Sequence, residues 1–282
     1  MSSISTPIQP SSQTKHTISS PTASRWRRWI DWRIALAPVF SLVIYLLWYE
    51  TAESGRYAAF ILPHPHTVWE RFTILWENGL AIQHTLVTLR EALSGLVIAT
   101  GVAIVLGYVI ARIRMLSYML MPYLIFIQAI PVVAIAPLLI IWVGPDIESK
   151  IAIAALITWF PLMVAVIVGI RSVAPNLREL MQANAATPWQ IFWHLEVPAA
   201  MPSLLGGFKI AVTLSVIGAA VGEFVSSREG LGYLVIFGRS TSDTPLVFVA
   251  IFLLTLMSLT LYTIVGMLEQ FLLRWQRAGQ LR

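Results

Sequence analysis

Residues 184–198 read NAATPWQIFWHLEVP, and they interrupt a chain that is otherwise mostly apolar. Small residues, two prolines and an aromatic cluster are packed between two long apolar runs. The stretch reads as the bend between two short helices and the start of the second. Thr187-Pro188-Trp189-Gln190 places a capping hydroxyl first, a proline at the first helical position and a glutamine at the third. Pro188 also pushes Thr187 out of the helical region, which enforces the bend. Trp189, Phe192 and Trp193 then share one face by their i, i+3, i+4 spacing. Upstream, Asn176 is placed to cap a helix with apolar Leu177, Leu180 and Met181 and with Glu179 three residues after the cap. That helix is expected to end near Ala185-Ala186. Pro198 and Pro202 are expected to break the chain again. The aromatic face suits either the headgroup layer of a membrane or the groove of a protein partner. The small-residue bend, open to close approach, favours the partner.

The surroundings are those of a membrane protein. Of 282 residues, 57% are hydrophobic and 12% charged, with mean hydropathy +0.75, whereas soluble domains carry about 25% charge. The net charge of +5 does not point to nucleic acid, because the basic residues sit at the ends of apolar segments. The absence of cysteine excludes disulfides and thiolate metal sites. The opening stretch is rich in Ser, Thr, Pro and Gln and cannot bury a core. Residues 1–33 are therefore read as a disordered, basic cytoplasmic tail, and 34–282 as one membrane domain with the bent loop at about 175–203. The run Arg25-Trp26-Arg27-Arg28 before apolar sequence resembles a secretory signal. No small-residue cleavage site follows, so the segment is expected to stay as a first membrane helix.

The fold expected is all-α, with six membrane helices, since a span needs about 20 mainly apolar residues. The candidate runs are 34–49, 92–110, 118–143, 151–170, 204–225 and 246–272. With both termini cytoplasmic, the inner segments hold the cluster at 25–33 together with Arg112, Arg114, Arg171, Arg178, Arg274, Arg277 and Arg282. The outer loops then hold Arg56, Arg71, Lys150, Arg228 and Arg239. That bias favours this orientation. Gly95, Ala99, Ala103 and Gly107 recur every four residues, a spacing that permits close helix approach. Pro122, Pro131 and Pro137 interrupt the third run and Pro161 the fourth. Either neighbouring helices absorb the kinks, or a substrate path runs near Gln128 and Pro131.

Enzymatic readings find no support. The aspartates lie outside the apolar runs, no HExxH pair occurs, and no GxxxxGK[ST] loop is present to cradle ATP. Glu223 is the one carboxylate expected within or at the end of a span. It is either an interfacial structural group or a gate or coupling residue.

The stretch from Glu179-Leu180-Met181 through Ala185-Ala186-Thr187-Pro188-Trp189 to Val197-Pro198 resembles the EAA loop of binding-protein-dependent ABC importer permeases. Glu179 and the spacing are kept, while the usual alanines are Leu180 and Met181, the usual glycine is Ala185 and the usual Leu-Pro is Val197-Pro198. A left-handed bend at Ala185 would cost about 1 kcal/mol relative to glycine. The likeness continues upstream at Ile130-Pro131 and Ala136-Pro137-Leu138. Downstream it covers Ile217 to Phe224 and Gly230-Leu231-Gly232-Tyr233.

The resemblance implies a multi-pass subunit of the cell (inner) membrane, paired with a second copy of itself and fed by an extracytoplasmic solute-binding protein. A cytoplasmic ATPase partner would hydrolyse the ATP, so the chain itself needs no cofactor. Glu179, Ala185, Ala186, Thr187, Pro188, Trp189 and Phe192 would form the coupling element that docks on that ATPase. Within the family the likeness leans to importers of riboflavin or of the thiamin pyrimidine precursor, with sulfonate, taurine or nitrate import as the alternative. Few cations lie in the expected spans, which agrees with a neutral ring. Gln128, Pro131, Thr158, Trp159 and Glu223 are the candidate path residues. The rival from another class is a gradient-driven six-span transporter, which would need mid-membrane charges or an inverted repeat; neither is found.

Overall fold

A computed structural model describes residues 24–274, with side chains from Leu36 onward apart from Ala37. The expected tail thus lies largely outside the described residues. All regular structure among the described residues is helical, with no strand. Physically, a helix satisfies its backbone polar groups within itself, as crossing lipid requires. The residues fall into two units, divided between Thr51 and Ala52.

The first unit is α1 (Ser24–Glu53), which ends just beyond the division and contains the first expected span. The second unit holds α2 (Pro65–Glu77), α3 (Leu80–Arg112), α4 (Arg114–Ala129), α5 (Val132–Val143) and α6 (Ile147–Arg171). It continues with α7 (Pro175–Ala183), α8 (Pro188–Ile191), a π-helical turn over Phe192–Glu196, α9 (Val197–Ser226), α10 (Leu231–Ser240) and α11 (Thr244–Leu272).

Among the described residues, four segments are long and apolar enough to cross a membrane. They are Leu80–Arg112, Ile147–Arg171, Pro188–Ser226 and Thr244–Leu272. The α4–α5 pair adds a fifth if counted as one span, but it bends by 91°. The third expected run is therefore no straight helix. Ile130 adopts an extended conformation (φ −72°, ψ 124°), because the ring of Pro131 disfavours helix at the residue before it. Pro122 and Pro137 sit inside α4 and α5 without breaking them.

A second difference concerns Pro198 and Pro202, expected as breaks. Helix runs unbroken from Pro188 to Ser226. The π turn over Phe192–Glu196 ends two residues before Pro198. Its extra residue offers a place where a ring lacking an N–H is tolerated without ending the helix.

Packing centres on α6, which lies between α3 and α9. Glycines make this possible by letting backbones touch. A Cβ on Gly95 would stand 2.6 Å from Cβ of Ala154, and one on Gly218 2.6 Å from Cα of the same Ala154. A Cβ on Gly107 would meet Val166 at 2.8 Å, and one on Gly169 would meet Ala200 at 2.9 Å. The buried face of α3 includes Gly95, Ala99, Ala103 and Gly107, the small-residue stripe seen in the sequence. α10, α11 and α2 complete a second cluster around Leu231, Leu246 and Val249.

Candidate functional site: a bent loop and a buried carboxylate cluster

At one end of the bundle the chain leaves α6, forms α7, bends and enters α8. Pro175 takes the first helical position and Ala174 the cap. Asn176, expected as the cap, lies inside the first turn, where its Oδ1 accepts from Leu177 N–H at 3.0 Å. A proline has no N–H to lose at that position, so it sets the start earlier than the asparagine would. α7 ends in a Schellman motif: Ala185 N–H donates to Gln182 O (2.9 Å) and Ala186 N–H to Met181 O (3.0 Å). Ala185 takes a left-handed φ of 54°. The bend is thus built where the sequence placed it, with an alanine in a conformation that glycine prefers.

Thr187 caps α8 through the full reciprocal box. Gln190 N–H donates to Thr187 Oγ1 (3.3 Å) and Thr187 N–H to Gln190 Oε1 (2.7 Å). Trp189, Phe192 and Trp193 form a ring cluster with centroids 5.1–5.9 Å apart, and Tyr108 of α3 meets Phe192 edge-on at 5.3 Å. No residue of α7 is buried. Leu180 is 59% and Trp189 68% exposed, and Glu179, Ala185, Thr187 and Pro188 are exposed as well, with Ala186 and Phe192 half-buried. The loop therefore presents an apolar, aromatic surface around a fixed bend.

Beneath the loop lies a fully buried carboxylate that the sequence reading did not single out, Glu196 (0% exposed). Arg112 Nη2 lies 3.0 Å from each of its oxygens. Arg178 Nη2 of α7 donates to Oε1 at 2.5 Å, and the Tyr108 hydroxyl reaches Oε2 at 3.3 Å.

The opposite end of the bundle holds a second cluster. Glu223, expected near exposure, is 2% exposed. Thr88 Oγ1 donates to its Oε1 at 2.6 Å, and Gly232 N–H donates to its Oε2. Thr88 Oγ1 also accepts from Leu231 N–H (2.8 Å), and His84 Nδ1 accepts from Gly230 N–H (2.9 Å). Gly230 has φ +106°, and Glu223 occupies the space a Cβ would need. Side chains of α3 and α9 thus hold the tight turn before α10. The Glu91 carboxyl, also 2% exposed, lies beside that of Glu223 and within electrostatic reach of Lys150. Its Oε2 is buried without a hydrogen-bond partner. Arg90, Glu91, Lys150 and Arg228 border a cavity of ≈ 670 Å³.

Glu223 is therefore not the one carboxylate in a span: Glu91 and Glu196 are buried like it, and Glu148 and Glu269 also lie in the spanning helices. His84, Thr88 and Glu91 extend the stripe of Gly95, Ala99, Ala103 and Gly107 backwards at helical steps. That periodicity was the signal that could have found them.

The remaining candidate path residues are dispersed. Gln128 and Pro131 are exposed at the α4–α5 bend. Trp159 is half-buried beside an apolar groove of ≈ 460 Å³ with Ile98, Val102, Leu106 and Leu139. Thr158 is buried, its hydroxyl donating to Ala154 O at 2.5 Å within its own helix.

Residues 103–275 match the family model described as the binding-protein-dependent transport system inner membrane component. The chain is 43% identical over 246 residues to the riboflavin transport system permease protein RibX of Chloroflexus aurantiacus, covering 87% of this chain and 92% of that one. It is 36% identical to the formylaminopyrimidine transport permease protein ThiX of Halalkalibacterium halodurans, covering 86% and 97%. Among solved structures, a chain of the MetNI methionine ABC transporter in an inward-facing conformation matches with TM-score 0.56 at 20% identity. That match covers 68% of this chain and 94% of the other, and it supports the fold alone.

Proposed function

The chain belongs to the family of binding-protein-dependent transport system inner membrane components, and on that premise we propose how it works as an importer permease. It is a multi-pass inner-membrane transport subunit, not an enzyme. The solute is riboflavin or a related vitamin heterocycle, delivered to the outer face by an extracytoplasmic binding protein. The chain crosses six times, with α1 as the first crossing and both termini cytoplasmic, and pairs with a second copy of itself. The loop from Glu179 through Ala185, Ala186, Thr187, Pro188 and Trp189 to Phe192 docks on a cytoplasmic ATPase, which hydrolyses the ATP. The solute passes Gln128, Pro131 and Trp159, with Thr158 and Glu223 in the supporting wall.

The observation that carries the importer reading is the exposed bend at Ala185. An apolar helix face left without cover, beside a locked turn, suits insertion into a partner's groove. The solute preference rests on the 43% likeness to a riboflavin permease and the 36% likeness to a formylaminopyrimidine permease. Two measurements test the reading. Detergent-solubilised wild type is expected to bring down an ATPase subunit, and Ala186→Arg to lose it. Cells expressing the transporter are expected to accumulate labelled riboflavin, with unlabelled riboflavin competing and an aliphatic sulfonate not. Competition by the sulfonate instead reassigns the solute, and absence of any ATPase removes the importer reading.

A further inference from the structure

We propose that Glu196, gripped by Arg178 and Arg112, is the positioning link that carries movement of the ATPase-docking loop into the membrane helices. This inference rests on the importer reading. α7 buries none of its residues, so a push on it is not delivered through a packed face. Its Arg178 instead reaches 2.5 Å to Oε1 of a carboxylate with 0% exposure. That carboxylate ends the π-helical turn from which α9 departs, and π turns often mark functional positions.

The same carboxylate is held from the other side by the last turn of α3. Arg112 Nη2 stands 3.0 Å from both oxygens, and Arg112 Nε donates to the Tyr108 hydroxyl at 3.1 Å. The end of α6 joins through Arg171, whose Nη2 donates to Ile110 O at 3.1 Å. Just inside this layer the helices touch at backbone distance, Gly169 against Ala200 and Gly107 against Val166. α7 therefore meets α3 and α9 at an ionic node above a tightly packed block, with α6 tied to the same end of α3. α8 joins α9 through the continuous helix and α3 through the Phe192–Tyr108 contact. Chains of packed side chains and ionic contacts of this kind carry coupling between distant sites.

The test uses the whole transporter with its co-purified ATPase in lipid nanodiscs. The chain has no cysteine of its own, so an environment-sensitive fluorophore can be placed at Gln182→Cys in α7 or at Val225→Cys at the far end of α9. In wild type, trapping with ATP and vanadate is expected to change both signals. In Glu196→Gln and in Arg178→Gln the loop signal is expected to persist, while the far-end signal falls about tenfold. Arg178→Gln decides alone if Glu196→Gln does not fold. Far-end signals retained in the variants overturn the link and leave the importer intact. Loss of both signals together, with the ATPase still bound, marks Glu196 as structural support and also overturns it. A wild-type chain that recruits no ATPase instead removes the importer reading itself.

Discussion

Thr88 and Glu223 stand 135 positions apart in the chain, yet the hydroxyl of one donates to the carboxylate of the other at 2.6 Å. Because the same hydroxyl accepts from Leu231 N–H, one threonine fastens α3 to α9 and to the turn before α10. The contact lies at the end of the bundle remote from the bent loop. The two ends therefore carry separate buried carboxylates, each tied to α3 by a polar side chain.

The two members of the remote carboxylate pair are expected to respond differently to amidation. Glu223→Gln replaces one of two accepting oxygens with a donor, which either cannot accept from Gly232 N–H or removes the bond that the Thr88 hydroxyl donates. It should cost about 1–3 kcal/mol, lower the unfolding temperature in detergent and impair uptake while protein remains in the membrane. Glu91→Gln keeps the shape of the side chain and supplies an amide donor facing Glu223, so its unfolding temperature should equal or exceed that of wild type. Equal loss in both variants would sink this assignment.

Gly230→Ala should be the most damaging small substitution in the remote turn. Its φ of +106° disfavours any side chain, and the added methyl would collide with the Glu223 carboxylate. Backbone strain alone costs about 1–3 kcal/mol. Purified yield and thermal midpoint should both fall well below those of Glu91→Gln.

At the loop, Ala185→Gly should stabilise the bend by about 1 kcal/mol, because glycine adopts φ 54° without a Cβ penalty. A slightly raised thermal midpoint with undiminished ATPase recruitment is expected. A lowered midpoint would mean that the left-handed bend is not what the chain adopts in the membrane.

Helix packing predicts a contrast between glycines. Gly218→Val, whose Cβ would stand 2.6 Å from Cα of Ala154, should cost about 1–3 kcal/mol by overpacking. Gly101→Ala and Gly206→Ala, with no atoms within 4 Å of the added carbon, should be neutral or gain up to roughly 1 kcal/mol of helix propensity. Thermal denaturation of the three variants side by side separates them.

The proposed orientation can be read by labelling. With native cysteine absent, Gln182→Cys should react with a membrane-impermeant maleimide only in inverted vesicles, and Arg228→Cys only in intact spheroplasts. The reverse pattern would turn the proposed topology over.

Local pattern made much of this protein legible in its sequence. Apolar run length marked α3, α6, α9 and α11, because a bilayer demands about 20 apolar residues wherever the chain crosses. The capping box at Thr187-Pro188-Trp189-Gln190 and the bend beside it were readable because caps and turns are satisfied by neighbours only a few residues away. The site residues were harder. Glu196 attracts no notice as sequence, being an ordinary glutamate near a segment end, and Glu91 shows only by its helical step from the Gly95 stripe. What makes them exceptional is burial against partners from other helices: Arg112 and Arg178 for one, Glu223 and Lys150 for the other.

The sequence by itself determined the helical class, the membrane setting and the place of the bent loop, because those follow from interactions along the chain and with the solvent. Only the tertiary structure decided that the third run bends by 91°, that the helix passes Pro198 and Pro202, and that Glu223 is enclosed rather than exposed. A proline's effect depends on what can satisfy the carbonyl it frees, and a carboxylate's on which donors face it. For Pro198 that is met by the neighbouring π turn, whereas Glu223 draws on Thr88, 135 positions away.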